Sequence, residues 1–219
     1  VPTISIDLMY LYEKGEQPTL IAIDHESGRL WSYALKDKVI LGGDGWIQKR
    51  IAQDIDNAGH KSVKVCVKRD QEAAMVALQH EIQRPRDART IPVNSPVGES
   101  ECNGRVENAI QRAQNKIRTL KSHIETEAGI GIDKLEDLMS WLVRWSGELI
   151  TRYHIGQDKK TAYERIRGKT CNKPIVQFGE SIMYMPLDSP NTDENKINSK
   201  LKDGIWLGTN ERTEEHYIG

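Results

Sequence analysis

Apolar residues alternate with polar ones along the first third of the chain and then recur at helical spacing, so strands should come first and helices later. Ile4, Ile6, Leu8 and Tyr10 predict a strand over residues 4–11, and Thr19–Ile23 and Arg29–Leu35 predict two more. Turn-forming residues at Glu13–Pro18 and Asp24–Gly28 separate them, which describes a three-stranded antiparallel meander. Trp46, Ile47, Ile51 and Ile55 predict a helix from Trp46 to Asn57, followed by a fourth strand over 62–69. A helix from Gln71 to Gln83, stopped by Pro85, and a fifth strand over Arg89–Val93 complete the pattern. Three strands followed by alternating helices and strands imply an α/β layered domain.

The loop over residues 94–103 is rich in small and polar residues and is expected to be mobile. After it, Val106, Ile110, Ala113, Ile117, Leu120 and Ile124 form one apolar stripe, which predicts a long helix from Gly104 to about Thr126. Glu107, Gln111, Gln114, Arg118 and Lys121 form a polar row on one flank of that helix, with Arg105, Arg112 and Lys116 on the other. The first row could run beside a phosphate backbone or be a solvated face. Asp133 with Glu136 resembles a capping box for a further amphipathic helix reaching about His154, and Trp141 and Trp145 on it read as core or subunit interface. Thr161 and Glu164 form a second capping box, before a short helix ended by Gly168.

From residue 174 onward the pattern changes to short strands at Ile175–Phe178, Ser181–Met185 and Gly204–Gly208, with another beginning at His216 and a polar loop over 186–203. This divides the chain into a domain over 1–173 and a small β-rich region over 174–219. The first residue is Val and the last run is strand-like, so the chain reads as a piece of something longer.

The composition changes this picture little. Thirty-one basic and 32 acidic residues nearly cancel, but between Lys159 and Lys173 six basic residues (Lys159, Lys160, Arg165, Arg167, Lys169 and Lys173) face the single acid Glu164. That patch is either a phosphate-binding surface or a solvated one. Three cysteines far apart fit a reducing compartment rather than a disulfide framework, and scattered histidines give no support to zinc. No apolar run is long enough to predict a membrane span.

Three acids stand out. Asp7 interrupts the first strand, Asp70 stands where Val63, Val65 and Val67 run out, and Glu107 opens the long helix. Carboxylates on rigid supports suit hard divalent cations. Two such ions about 4 Å apart can activate an attacking oxygen and stabilise the leaving one in an in-line phosphoryl transfer. Without metal, clustered acids should titrate as a coupled set with at least one raised pKa.

With these residues the chain resembles the catalytic core of retroviral and copia-type retrotransposon integrases, members of the ribonuclease H-like superfamily with a DDE triad. Asp7 in Ser5-Ile6-Asp7-Leu8 matches the first acid, Asp70 in Val67-Lys68-Arg69-Asp70 the second, and Glu107 in Asn103-Gly104-Arg105-Val106-Glu107 the third. Thirty-six residues separate the second acid from the third, close to the family's spacing. Thr161-Ala162-Tyr163-Glu164 looks like the Thr-Pro-Tyr-Glu segment closing many retrotransposon cores. Three positions depart from the pattern: Gln71 and Glu72 follow the second acid where Asn or Ser and then Gly are common, and Gln111 replaces a frequent basic residue.

The resemblance implies a ribonuclease H-like α/β fold, with a five-stranded mixed sheet flanked by helices and a small SH3-like C-terminal region. It implies a polynucleotidyl transferase performing 3′-end processing and strand transfer, with Asp7, Asp70 and Glu107 as catalytic residues and ligands of two Mg2+ (or Mn2+) ions. DNA would be the partner of Gln111, Gln114, Arg118, Lys121, Lys159, Lys160, Arg165, Arg167 and Lys169. A homo-oligomer acting in the nucleus is expected, with no membrane association and no small-molecule substrate. The alternatives are an inactive element-derived scaffold, or a transposase or nuclease of the same superfamily.

Overall fold

A computed structural model of the chain describes residues 1–12, 17–36, 45–69, 73–94, 104–132, 135–186 and 201–219. Two compact units are present, Val1–Asn172 and Lys173–Gly219.

Among the described residues the first unit holds β1 (Thr3–Tyr10), β2 (Pro18–Asp24), β3 (Leu30–Ala34), α1 (Trp46–Ile55), β4 (Val65–Arg69), α2 (Ala73–Gln83), β5 (Thr90–Asn94), α3 (Gly104–Ala128), α4 (Glu136–Tyr153) and α5 (Ala162–Arg167). Their strand order is β3-β2-β1-β4-β5. The first three strands form the expected antiparallel meander, with Asp7 opposite Ile21. On its other side β1 pairs in parallel with β4, Ile6 beside Arg69, and β4 pairs in parallel with β5. The result is the mixed five-stranded sheet that the resemblance implies. Pro92 is tolerated because β5 is an edge strand, where a missing N–H need not cost a ladder bond.

Strand alternation divides β1 between two cores. Ile4 and Ile6 are fully buried with Leu20, Trp31, Tyr33, Val65 and Val67 against Ile47, Ile51 and Ile55 of α1 and Met75, Leu78 and Ile82 of α2. Ser5, Asp7 and Met9 therefore point to the opposite side, which α3 and α4 cover. From α3 the buried residues are Val106, Ala109, Ala113, Ile117 and Ile124, while Ile110 and Leu120 of the expected stripe are only half-buried.

Charged groups are buried in pairs. Asp54 accepts hydrogen bonds from the Tyr33 hydroxyl (2.9 Å) and Arg50 (2.8 Å), yet its burial still pushes the carboxyl pKa up. Arg86 donates to Asp56, to Thr90 Oγ1 and to the His60 carbonyl, pinning the stretch after α1 to the start of β5. Arg29 and Arg152 both reach Glu148, and their guanidiniums lie over Trp31 and Trp145. This cluster joins β3 to α4 through the core. Trp145 is buried, as a core residue should be, and Trp141 is half-buried beside Arg144.

Three expectations are corrected. The first helix does not stop at Asn57 in α-geometry: residues Asp56–His60 continue it as a π-helical turn broken at Gly59. Strand β4 starts at Val65 rather than at residue 62. Helix α4 starts after Leu135, and the expected box of Asp133 with Glu136 rests on side chains outside the described residues. Ile175–Phe178 is not a strand, because the segment finds no ladder partner and leads into a turn closed by Glu180 N donating to Gln177 O. The box at Thr161 and Glu164 is present in both directions, and Gly168 ends α5 in left-handed geometry. The first turn, residues 70–72, the loop from 95 to 103, Asp133 and most of the polar loop at 187–200 lie outside the described residues.

In the second unit β6 (Ser181–Tyr184), β7 (Lys202–Thr209) and β8 (His216–Ile218) form an antiparallel sheet in the order β6-β7-β8. Phe178, Trp206, Leu207 and Thr209 are among its buried residues, and Trp206 Nε1 donates to His216 Nδ1 at 2.9 Å.

The contact of α4 with β3 depends on a missing side chain. A Cβ at Gly147 would lie 2.8 Å from Ser32 Oγ, 3.1 Å from Ser32 N and 3.2 Å from Leu30 O. Gly147→Ala should therefore cost about 1–3 kcal/mol, because strand backbone must move to admit the methyl group. Urea unfolding measures this, and an unchanged midpoint would show that the two elements approach less closely.

Candidate functional site

Asp7 occupies the middle of β1, the central strand, on the side that faces α3. It is half-buried, and its Oδ1 accepts a hydrogen bond from Leu8 N at 2.8 Å. Glu107 lies in the first turn of α3, which packs on β1 and β2. It is exposed and has no hydrogen bond or ion pair among the described residues. The N-terminal end of the helix macrodipole favours a carboxylate there whether or not a metal is bound. Asp70 and the loop from 95 to 103 lie outside the described residues. The ladder nevertheless runs up to Ile6 and Arg69, the residues directly preceding the first two acids.

Among the described residues no three His, Cys, Asp or Glu side chains gather to hold a metal, and Asp70 is not one of those residues. The donor set of Asp7, Asp70 and Glu107 has the oxygen-only chemistry that Mg2+ and Mn2+ favour. An exposed Glu107 with no cationic partner fits a role as metal ligand.

The residues expected to touch DNA fall into distinct settings. Gln111 and Arg118 are exposed on α3, and Arg118 Nη1 donates to Asn115 Oδ1 at 3.3 Å. Gln114 is half-buried, and Lys121 is engaged by Glu125 at 2.9 and 3.0 Å. Lys159, Lys160, Arg167 and Lys169 are exposed around α5. Arg165 instead grips Asp158 through Nε and Nη2 and donates to the carbonyls of Ser27 (2.6 Å) and Lys160 (3.0 Å), so it fastens α5 to the β2–β3 turn. That clasp holds the exposed Asp158 carboxyl down to about 2.

Beside this clasp lies a cavity of about 700 Å³, between the β2–β3 turn, α3 and the segment after α4. It contains Arg105, Arg112, His25 and His154, of which the sequence pattern gave only the two arginines a shared flank. The histidines were not recognisable as a pair, because 129 positions separate them and only the fold brings them to one cavity. Desolvation lowers both imidazole pKa values, helped by Arg105 at His25 and by Arg112, Lys116 and Arg165 at His154. Ser5 Oγ and His25 Nε2 are 2.7 Å apart, which orients the His25 ring.

This arrangement of sheet and helices is the ribonuclease H-like fold of retroviral integrase catalytic cores. Solved structures with that fold include the simian T-cell lymphotropic virus intasome in complex with PP2A regulatory subunit B56 gamma (12% identity, TM-score 0.54, covering 94% of this chain and 68% of that one). Also similar is the HTLV-2 integrase catalytic core domain in complex with magnesium (13% identity, TM-score 0.50, covering 75% of this chain and 95% of that one). The BIV integrase catalytic core domain matches at 13% identity and a TM-score of 0.49, over 75% of this chain and 92% of that one. No family model matches the sequence. No curated protein matches it either.

Because the fold favours the neutral form of His25 and His154, the unfolded chain binds more protons between the lowered pKa values and the ordinary value of about 6.5. Their contribution to stability is complete above about pH 6.5 and is lost as pH falls through the folded-state values. NMR titration of the imidazole carbons should place both midpoints below 6.5, and a midpoint above it would contradict the cationic surroundings described.

Proposed function

We propose that this chain is the catalytic domain of a retrotransposon-type integrase, a polynucleotidyl transferase that processes DNA 3′ ends and joins them to target DNA. The observation that carries this reading is the placement of Asp7 at the centre of β1, with Arg69 of β4 beside Ile6 and the helix bearing Glu107 packed on the same strand. The likeness of fold to integrase cores supports it. So does the Asn103-Gly104-x-x-Glu107 context in the sequence.

In this reading Asp7, Asp70 and Glu107 hold two Mg2+ or Mn2+ ions. When bound, such a pair supplies Lewis-acid activation of an attacking water or 3′-hydroxyl and stabilisation of the departing oxygen. The chain supplies rigidity: a central strand flanked on both sides and a helix anchored by its buried stripe keep carboxylates in fixed positions. Gln111, Gln114, Arg118 and Lys121 along α3, with Lys159, Lys160, Arg167 and Lys169 around α5, would meet DNA mainly through phosphates, giving steep salt dependence and little sequence preference. Arg165 would act there by holding α5 in place. DNA ends and target DNA are the proposed partners, within a homo-oligomer working in the nucleus.

Asp7→Asn and Glu107→Gln should each abolish strand transfer in magnesium while leaving DNA binding within about threefold of the parent. A strand-transfer assay paired with fluorescence anisotropy reads both quantities. Persistent joining by Asp7→Asn would refute its catalytic role. Comparing donor-end DNA, hairpin DNA and an RNA–DNA hybrid as substrates separates integrase from transposase or ribonuclease chemistry.

A further inference from the structure

The basic flank of α3 opposite Glu107 builds one wall of the cavity beside the β2–β3 turn, and the charges around it do not balance in the way their number suggests. Three arginines and three acids line it. Asp24, fully buried, is committed to the hydroxyl and amide of Ser27, the Glu26 amide and His60. Asp158 is committed to Arg165. Arg105 donates to the His25 carbonyl at 2.9 Å and Arg112 to the Asn108 carbonyl at 3.2 Å, and neither has a carboxylate partner among the described residues. Among the described residues that line the cavity, Glu26, exposed at the turn, is the acid left to oppose them.

Arg112 is half-buried, and desolvation lowers its pKa, as expected of a guanidinium withdrawn from water without a counter-ion. A group of that kind is completed by an anion. Seven residues, two helical turns or about 10.5 Å along the axis, separate Arg105 from Arg112, so both long side chains rise from the same flank into one space. Ile23, Ile150 and Ala162 give the same cavity an apolar lining. Its volume of about 700 Å³ lies in the usual range for a small-molecule site. Cationic walls and an apolar floor together match a phosphate joined to a flat, weakly polar body.

We infer that this cavity binds a nucleoside phosphate, with Arg105 and Arg112 holding the phosphate and the Ile23–Ile150–Ala162 surface receiving the sugar or base. The site lies on the flank of α3 away from Glu107 and does not depend on the catalytic reading. Its occupant is either a free nucleotide or a nucleotide of a nucleic-acid strand, since both present the same chemistry.

Titrating the isotope-labelled chain with adenosine monophosphate, with inorganic phosphate and with a short single-stranded oligonucleotide, all in chelator and low salt, tests this by NMR. The expected result is saturable perturbation of His25 and His154 by the nucleotide, with a Kd of about 1 mM or tighter and phosphate alone several-fold weaker. Arg112→Gln and Arg105→Gln should each weaken it at least about tenfold. Arg84→Gln, on the other face of the sheet, should not change it. Glu26→Gln should tighten binding about threefold by removing the opposing charge, a gain that a misfolded variant cannot mimic. A stronger response to the oligonucleotide than to the mononucleotide identifies the source as a strand, and the reverse identifies a free nucleotide. Absence of perturbation with all three ligands, equal affinity for phosphate and nucleotide, or equal losses in Arg84→Gln and Arg112→Gln would each overturn the assignment.

Discussion

The alternation of side chains along β1 governs the first unit, because this strand sits at the centre of the sheet and has a packed layer on each side. Ile4 and Ile6 must enter the core under α1 and α2, and a shift of one residue would exchange them for Ser5 and Asp7. The penalty for burying Asp7 in that apolar layer fixes the register against both β2 and β4. It also fixes the side of the sheet on which Asp7 emerges. The charge that makes the strand look unfavourable in isolation is thus tolerated only on the face that α3 leaves partly open.

Helix α3 carries different chemistry on each of its flanks. Its buried stripe is held by the sheet, so the two polar rows cannot rotate out of their positions. On one side Glu107 is exposed in the first turn of the helix, at the positive end of the macrodipole. On the other, Arg105 and Arg112 face a cavity in which Asp24 and Asp158 are already engaged and Glu26 stays exposed at the turn. The clasp of Arg165 on Asp158 and Ser27 lies at the edge of that cavity and ties α5 to the β2–β3 turn. A basic residue within a basic run is here a structural fastener, while less conspicuous arginines on the helix retain the unpaired charge.

Much of this was readable in the chain. Alternation of period two gave the meander, and period 3.6 gave α3 and α4, since those periods follow from backbone geometry alone. The capping box at Thr161 and Glu164 was legible because its partners are three residues apart and need no tertiary help. Expectations failed where a partner had to come from elsewhere. Ile175–Phe178 has strand composition but pairs with no strand among the described residues, and the residues just after Ile55 continue into a π-turn where Arg86 grips His60 from 26 positions away.

The sequence by itself determined the order and type of most elements, the three acids and their spacing, and the two charged rows on α3, all of which depend on local periodicity and residue identity. Only the tertiary structure decided that Arg165 is spent on an ion pair and that Asp24 is satisfied by His60. It alone brought His25 and His154 to one cavity with Arg105 and Arg112. The physical reason is that the charge a side chain presents to solvent or ligand depends on which groups already neutralise it, and those groups arrive from distant parts of the chain when the sheet and helices close together.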